Sequence, residues 1–157
     1  MSDETLRRLT AYAEGLRFEH LPPETVHQVK RLMVDSLGCA IGAFTSEPAK
    51  AARDLAACVT GKRTATLIGT RERSTLDLAA FANGTMVRYL DFNDAYGGKD
   101  TSHPTDNFPI VLAAAEAYGA SGKDLITGIE VLNILKLYYA PLIYQFKTIN
   151  QVLTMLT

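Results

Sequence analysis

Two short segments gather the groups that can do chemistry: Leu90-Asp91-Phe92-Asn93-Asp94-Ala95-Tyr96 and Ser102-His103-Pro104-Thr105-Asp106-Asn107. Asp91 and Asp94 stand three residues apart, a spacing that puts both carboxylates on one face of a helix's last turn. The negative end of the helix dipole and a neighbouring carboxylate both disfavour ionisation. One of the pair is therefore expected to keep its proton to an elevated pKa and to serve as a general acid or base. A second reading fits the same spacing, in which the two aspartates only solvate a helix end. His103 precedes a proline, which holds its backbone extended and aims the ring from a defined position. It reads equally as a poised imidazole or as a loop histidine. A helix starting just after it offers backbone amides to an anion such as a substrate carboxylate, with Thr105 or Asp106 competing as the cap. Two aspartates and a histidine would also suit a divalent cation, although the long loop between them matches no recognised ligand spacing.

Helices must position these groups. Leu6, Leu9, Ala13 and Leu16 recur at three- and four-residue spacing and predict a short amphipathic helix. His20-Leu21-Pro22-Pro23 breaks it, and the prolines suit the first turn of a second helix running to about Phe44. Its buried stripe is expected to be Val26, Val29, Met33, Leu37, Ile41 and Phe44. Ser36, Gly38, Ala40, Gly42 and Ala43 keep its other surface low, which predicts a central helix packed from more than one side. Ser46-Glu47-Pro48 opens a third helix through Val59, with Gly61 placed to end it. The segment from Thr64 to Gly69 has strand-like residues but no evident partner, so it is expected to be an extended connector. Ser74-Thr75-Leu76-Asp77 reads as a capping box that opens a fourth helix, with Leu78, Phe81, Ala82, Met86, Tyr89 and Leu90 on its apolar face. That pattern runs out near Asp94. A fifth helix carries Ile110, Val111, Ala114 and Ala117 and ends at Gly119, and Ser121-Gly122-Lys123-Asp124 opens a sixth by the same capping logic. The fold class is all-α, a helical bundle.

Composition narrows the partners. The chain has 157 residues, 47% hydrophobic and 21% charged, enough for one domain with a real core. Sixteen basic against seventeen acidic residues leave a net charge of -1, so no general field draws in nucleic acid or an anionic membrane. Any charged ligand must be held by local groups. The acidic start Met1-Ser2-Asp3-Glu4 lacks the charged and apolar regions of a secretory signal, which points to the cytoplasm. Glu116 and Lys136 interrupt the most apolar windows, so no transmembrane helix is expected. Cys39 and Cys58 are isolated and are expected to be buried, reduced core thiols. After Glu130 the composition changes, and the last 27 residues contain no Asp, Glu, Arg or Gly. The chain therefore divides into a helical domain over 1–130 and a divergent tail over 131–157, either a truncated or frame-shifted gene end or a genuine alternative terminus.

Four ordered motifs resemble those of the 2-methylcitrate dehydratase (MmgE/PrpD) family. Leu90-Asp91-Phe92-Asn93-Asp94 and His103-Pro104-Thr105-Asp106-Asn107 are similar to its D-F-N-D-T and H-P-S-D-N segments. Met33-Val34-Asp35-Ser36-Leu37-Gly38-Cys39 resembles its early D-x-L-G-C helix, and Gly119-Ala120-Ser121-Gly122-Lys123-Asp124-Leu125 its G-x-S-G-K-D-L turn. The resemblance covers roughly residues 1 to 130 and implies an incomplete helical domain of a lyase. Such enzymes act on small polycarboxylates, without an obligatory metal or other cofactor and usually as homodimers, by proton transfer next to a carboxylate. It implies that Asp91 and His103 are catalytic, His103 in proton transfer or substrate binding and Asp91 in orientation. Asp94 and Asn107 are implied as substrate-binding groups. Ala95 departs from the family's usual threonine, so one hydroxyl of the pattern is missing. Dehydration of 2-methylcitrate is the implied activity, and decarboxylation or epimerisation of a related acid is the enzymatic alternative. A non-catalytic helical interaction module is the alternative of another class, since an incomplete core exposes apolar surface.

Overall fold

The computed structural model describes residues 3–97 and 101–134. Helices dominate it: α1 (Asp3–Gly15), α2 (Pro23–Gly42), α3 (Glu47–Ala57), α4 (Leu76–Tyr89), α5 (Phe108–Tyr118) and α6, which starts at 122 and is described to 134. Two small antiparallel ladders accompany them, β1 (Thr64–Thr66) with β2 (Arg73–Thr75) and β3 (Tyr96–Gly97) with β4 (Thr101–Ser102). A mostly helical domain is therefore observed, as the pattern of apolar residues requires. The divergent tail lies outside the described residues beyond 134.

Local chemistry explains most helix ends. The Ser46 hydroxyl accepts the Ala49 amide at 3.4 Å and starts α3. Ser121 and Asp124 form a reciprocal box before α6, Asp124 N donating to Ser121 Oγ at 3.3 Å and Ser121 N to Asp124 Oδ2 at 2.9 Å. Gly119 closes α5 with φ 65°, a left-handed turn that glycine adopts without a Cβ penalty. The box expected at Ser74 is displaced. Ser74 sits in β2, fully buried, and donates to the carbonyls of Ala56 at 2.6 Å and Val59 at 3.1 Å, which ties the hairpin to the end of α3. Thr75 takes the cap position, and its hydrogen bond to Asp77 holds that carboxyl below its ordinary range.

Three further expectations are corrected. The connector over residues 64–69 does have a partner: Thr64 faces Thr75 and Thr66 faces Arg73 in a hairpin. The turn of that hairpin passes through Gly69 at φ +82°, with the Phe44 ring against it where a side chain would collide. The central helix is α4, which packs against α2, α3, α5 and the hairpin, whereas α2 leaves Val34 and Ile41 exposed. Cys39 is buried but Cys58 is exposed, its thiol directed at the Asp54 carbonyl one turn back.

The core is built in three parts. Ala52 and Ala56 of α3 meet Ala79 and Ala82 of α4 with Leu67, and such small side chains let the helices approach closely. Ala40 and Ala43 of α2 join Met86 and Val87 of α4 with Ile68. Val29 of α2, Phe108 of α5 and Ile126 and Ile129 of α6 form the third part. Burying Phe108 and its aliphatic neighbours there is worth about 1.5 to 3 kcal/mol per side chain, and it fixes the start of α5 directly after the His103 segment.

Candidate active site

Helix α4 ends at Tyr89, and Asp91 then takes a left-handed backbone with φ 54°, which turns the chain out of the helix. Asp91 and Asp94 are thus not on a common helical face, and the expected like-charge pair is replaced by two separate arrangements. Asp91 is largely exposed and its Oδ1 lies 3.3 Å from Arg88 Nη2. The Asp94 carboxylate is turned the other way, accepting the Thr105 amide at 3.1 Å and the Thr105 hydroxyl on the same oxygen.

The β3–β4 ladder explains how distant residues meet. Tyr96 faces Ser102 and Gly97 faces Thr101, so the returning chain brings His103 back to Asp94. His103 Nδ1 lies 2.6 Å from the Asp94 carbonyl oxygen. A carbonyl can only accept, so Nδ1 carries the hydrogen and a neutral ring holds its lone pair on Nε2. Pro104 follows in a short 3-10 turn, Pro104–Asn107, and α5 begins at Phe108 without a side-chain cap. Neither Thr105 nor Asp106 is the cap expected of it. Thr105, buried, is committed to Asp94 instead.

Arg88 was not anticipated among the site residues. Its Nη1 donates to Asn93 Oδ1 at 3.0 Å and its Nε lies 3.4 Å from Asp106 Oδ1, in addition to the Asp91 contact. Asn93 in turn donates to the Val87 carbonyl at 3.2 Å. One guanidinium therefore binds both motif segments, as its planar fork of donors permits. A cation in a helix's last turn is common because it complements the helix dipole, so position alone does not single Arg88 out. Asn107 donates its side-chain amide to Asn133 Oδ1 at 2.9 Å, joining the 3-10 turn to α6. Of the four candidates, the structure brings His103 and Asp94 into contact, puts Asp91 on the other side of Arg88, and uses Asn107 to tie the segment to the bundle. Among the described residues no group of three or more His, Cys, Asp or Glu converges as a metal site would.

Residues 7–132 match the family described as MmgE/PrpD N-terminal domain. The chain is 33% identical to "Alkylcitrate dehydratase phiI" of a fungal species, over 74% of this chain and 24% of the relative. It is 30% identical to "2-methylcitrate dehydratase-like protein oryR" of Aspergillus oryzae, over 92% of this chain and 31% of the relative. Human "Cis-aconitate decarboxylase" is 28% identical over 75% of this chain and 24% of its own length. The chain thus spans about a quarter to a third of these relatives. Since that match runs from the middle of α1 into α6 and includes both motif segments, the chain belongs to the MmgE/PrpD family and corresponds to its N-terminal domain.

Proposed function

We propose that the chain supplies the Asp91–His103 part of the active site of a cytoplasmic lyase that dehydrates a small polycarboxylate of the 2-methylcitrate type. The observation that carries this reading is the bond from His103 Nδ1 to the Asp94 carbonyl, which puts the hydrogen on Nδ1 and makes Nε2 the basic nitrogen of the neutral ring. His103 takes a proton from the carbon next to a substrate carboxylate, and the hydroxyl on the neighbouring carbon leaves as water after accepting a proton. Thr105 and Asp94 hold the imidazole in position. Asp91, exposed and beside Arg88, orients the substrate or a group that binds it, while Asp94 and Asn107 border the bound acid. The substrate is the partner, and the enzyme works as a homodimer without an added cofactor.

Proton NMR in heavy water tests this on the chain incubated with 2-methylcitrate, cis-aconitate or iminodisuccinate, beside a His103→Ala variant. Dehydration of 2-methylcitrate that disappears in the variant is the expected result. Decarboxylation or exchange of one of the other acids would replace the dehydratase assignment with that reaction, and turnover that survives in His103→Ala would remove His103 from the chemistry. A non-catalytic reading has one specific observation in its favour, the exposure of Val34, Ile41, Phe81, Phe92 and Tyr118. Broad, concentration-dependent melting without turnover of any of the three acids is the outcome that favours it.

A further inference from the structure

Beside the motif loop an open groove of about 680 Å³ runs between that loop and α2. His27, Lys30, Arg31 and Val34 line it from α2, and Phe92 and Asp94 line it from the loop. The α2 residues follow at three- and four-residue spacing, so they form a single helical face. We infer that Lys30 and Arg31 form a carboxylate-binding subsite, which takes an acid group of the substrate remote from the reacting carbon. The inference rests on the polycarboxylate reading above and adds the group that would recognise the second acid.

Three observations support it. First, both cations are available: among the described residues neither forms an ion pair, and Arg31 only reaches Gln28 Oε1 at 3.4 Å. Arg31 and Asp35 stand four apart on α2, a spacing suited to pairing, yet they do not pair. Second, neither carboxylate of the groove, Asp35 or Asp94, forms an ion pair with these cations among the described residues. Asp94 accepts the Thr105 amide and hydroxyl. Third, the groove borders the chemistry, because Asp94, which lines it, is also the residue whose carbonyl holds His103. Val34 and Phe92, both strongly exposed, give the carbon chain between the acid groups an apolar surface on the way. An Arg or Lys facing an anion forms charge-assisted bonds, and two adjacent cations suit a carboxylate with two oxygens.

The experiment is a nitrogen-15 NMR titration of the whole chain with tricarballylate, a tricarboxylate that has no hydroxyl to lose, repeated on Arg31→Gln, Lys30→Gln/Arg31→Gln and His103→Ala. Turnover of 2-methylcitrate is measured on the same samples. Amide shifts along residues 27–35 and 91–94 are expected on titration. Affinity should fall by about three- to tenfold for Arg31→Gln and further for the double variant, as expected for partly solvated charges. Arg31→Lys should recover part of the loss. His103→Ala should abolish turnover. Binding with those losses but no turnover upholds the subsite and removes the lyase reading of the chain. Turnover with silent 27–35 amides and an unchanged KM in the double variant overturns the subsite and leaves the lyase reading standing. No tricarballylate binding at all, or binding unaffected by the double variant, also overturns it.

Discussion

The hairpin side of the bundle and the motif loop use the same device to different ends. On the hairpin side, Asn83 is fully buried, its Oδ1 accepting the Ile68 amide at 2.9 Å and its Nδ2 donating to the Thr66 carbonyl at 2.9 Å. Ser74 closes the carbonyls of Ala56 and Val59, and Arg53 donates to the Phe44 carbonyl at 2.8 Å while its guanidinium stacks 3.9 Å from the Phe44 ring. In the motif loop, Asp94, Asn93 and Arg88 make the same kinds of bond, but at partly exposed positions. Burial decides the consequence. A side chain that satisfies a dry backbone group holds the fold, because an unmade bond there is not replaced by water. The same bond near solvent adds little stability and instead fixes the direction of a functional group.

The sharpest break of that contrast is Asn83→Ala. It strands one buried amide and one carbonyl, which costs about 3 kcal/mol and lowers the melting temperature by roughly 10 °C for a chain of this size. Thermal denaturation followed by circular dichroism checks it. A loss no larger than that of an exposed helix substitution would mean that water replaces both bonds.

Thr105→Val tests the other side. The substitution keeps the shape and removes the hydroxyl that Asp94 accepts, so stability should fall by only about 1 kcal/mol. The larger effect is on His103: with Asp94 less firmly held, the Nδ1–H form should lose population. Nitrogen-15 shifts of the imidazole report this directly, with or without turnover. A wild-type ring protonated on Nε2 alone, or a ring unchanged by the substitution, would reject Thr105 as a positioning residue.

Legibility in the sequence divides along similar lines. Helix starts at Ser46 and Ser121 and the stop at Gly119 were visible because each depends on residues within one turn. The β1–β2 hairpin was not, since Arg73-Ser74-Thr75 lacks the apolar alternation of a strand and Ser74 matched a helix cap equally well. Its real partners, the carbonyls of Ala56 and Val59, are set by tertiary packing. Phe81, Tyr89 and Ile41 followed the helical period yet are exposed, because periodicity marks a face without saying what covers it. In the site, the residue types and the proximity of the two segments were legible. The division of labour was not: a left-handed turn at Asp91 separates two aspartates that spacing had joined, and Arg88 became a hub only once the loop folded back on it.

Asp91→Gly examines that turn. A non-glycine residue in left-handed backbone is strained, by less for aspartate than for most residues, and glycine removes the cost. The loss of the exposed Arg88 contact offsets little of this. The variant should therefore be more stable by about 0.5 kcal/mol in denaturant titration, while turnover falls. Gain in stability with loss of activity would mark Asp91 as a residue kept for function. A loss of stability would show that the Arg88 bond outweighs the strain.

The smallest effect concerns Glu130 of α6, a carboxyl that burial raises above its ordinary value of 4.5 and whose charge adds to the burial that pushes up the half-exposed Tyr12 hydroxyl. Unlike Asn83, it makes no side-chain hydrogen bond among the described residues to compensate for lost water. A raised carboxyl binds its proton more tightly in the folded chain than in the unfolded one. Its favourable contribution is full below the unfolded value and is lost as pH rises through the folded value. Glu130→Gln should remove that slope, so that wild type loses stability relative to the variant from about pH 4.5 upward. Solvent screening keeps the difference under about 1 kcal/mol. Carboxyls such as Asp124, lowered by Ser121, contribute the opposite slope at more acid pH, and because both proteins share them they cancel in the difference. A difference that is flat with pH would mean that Glu130 keeps its water in the folded chain, and that this end of α6 belongs with the solvated loop and not with the dry core.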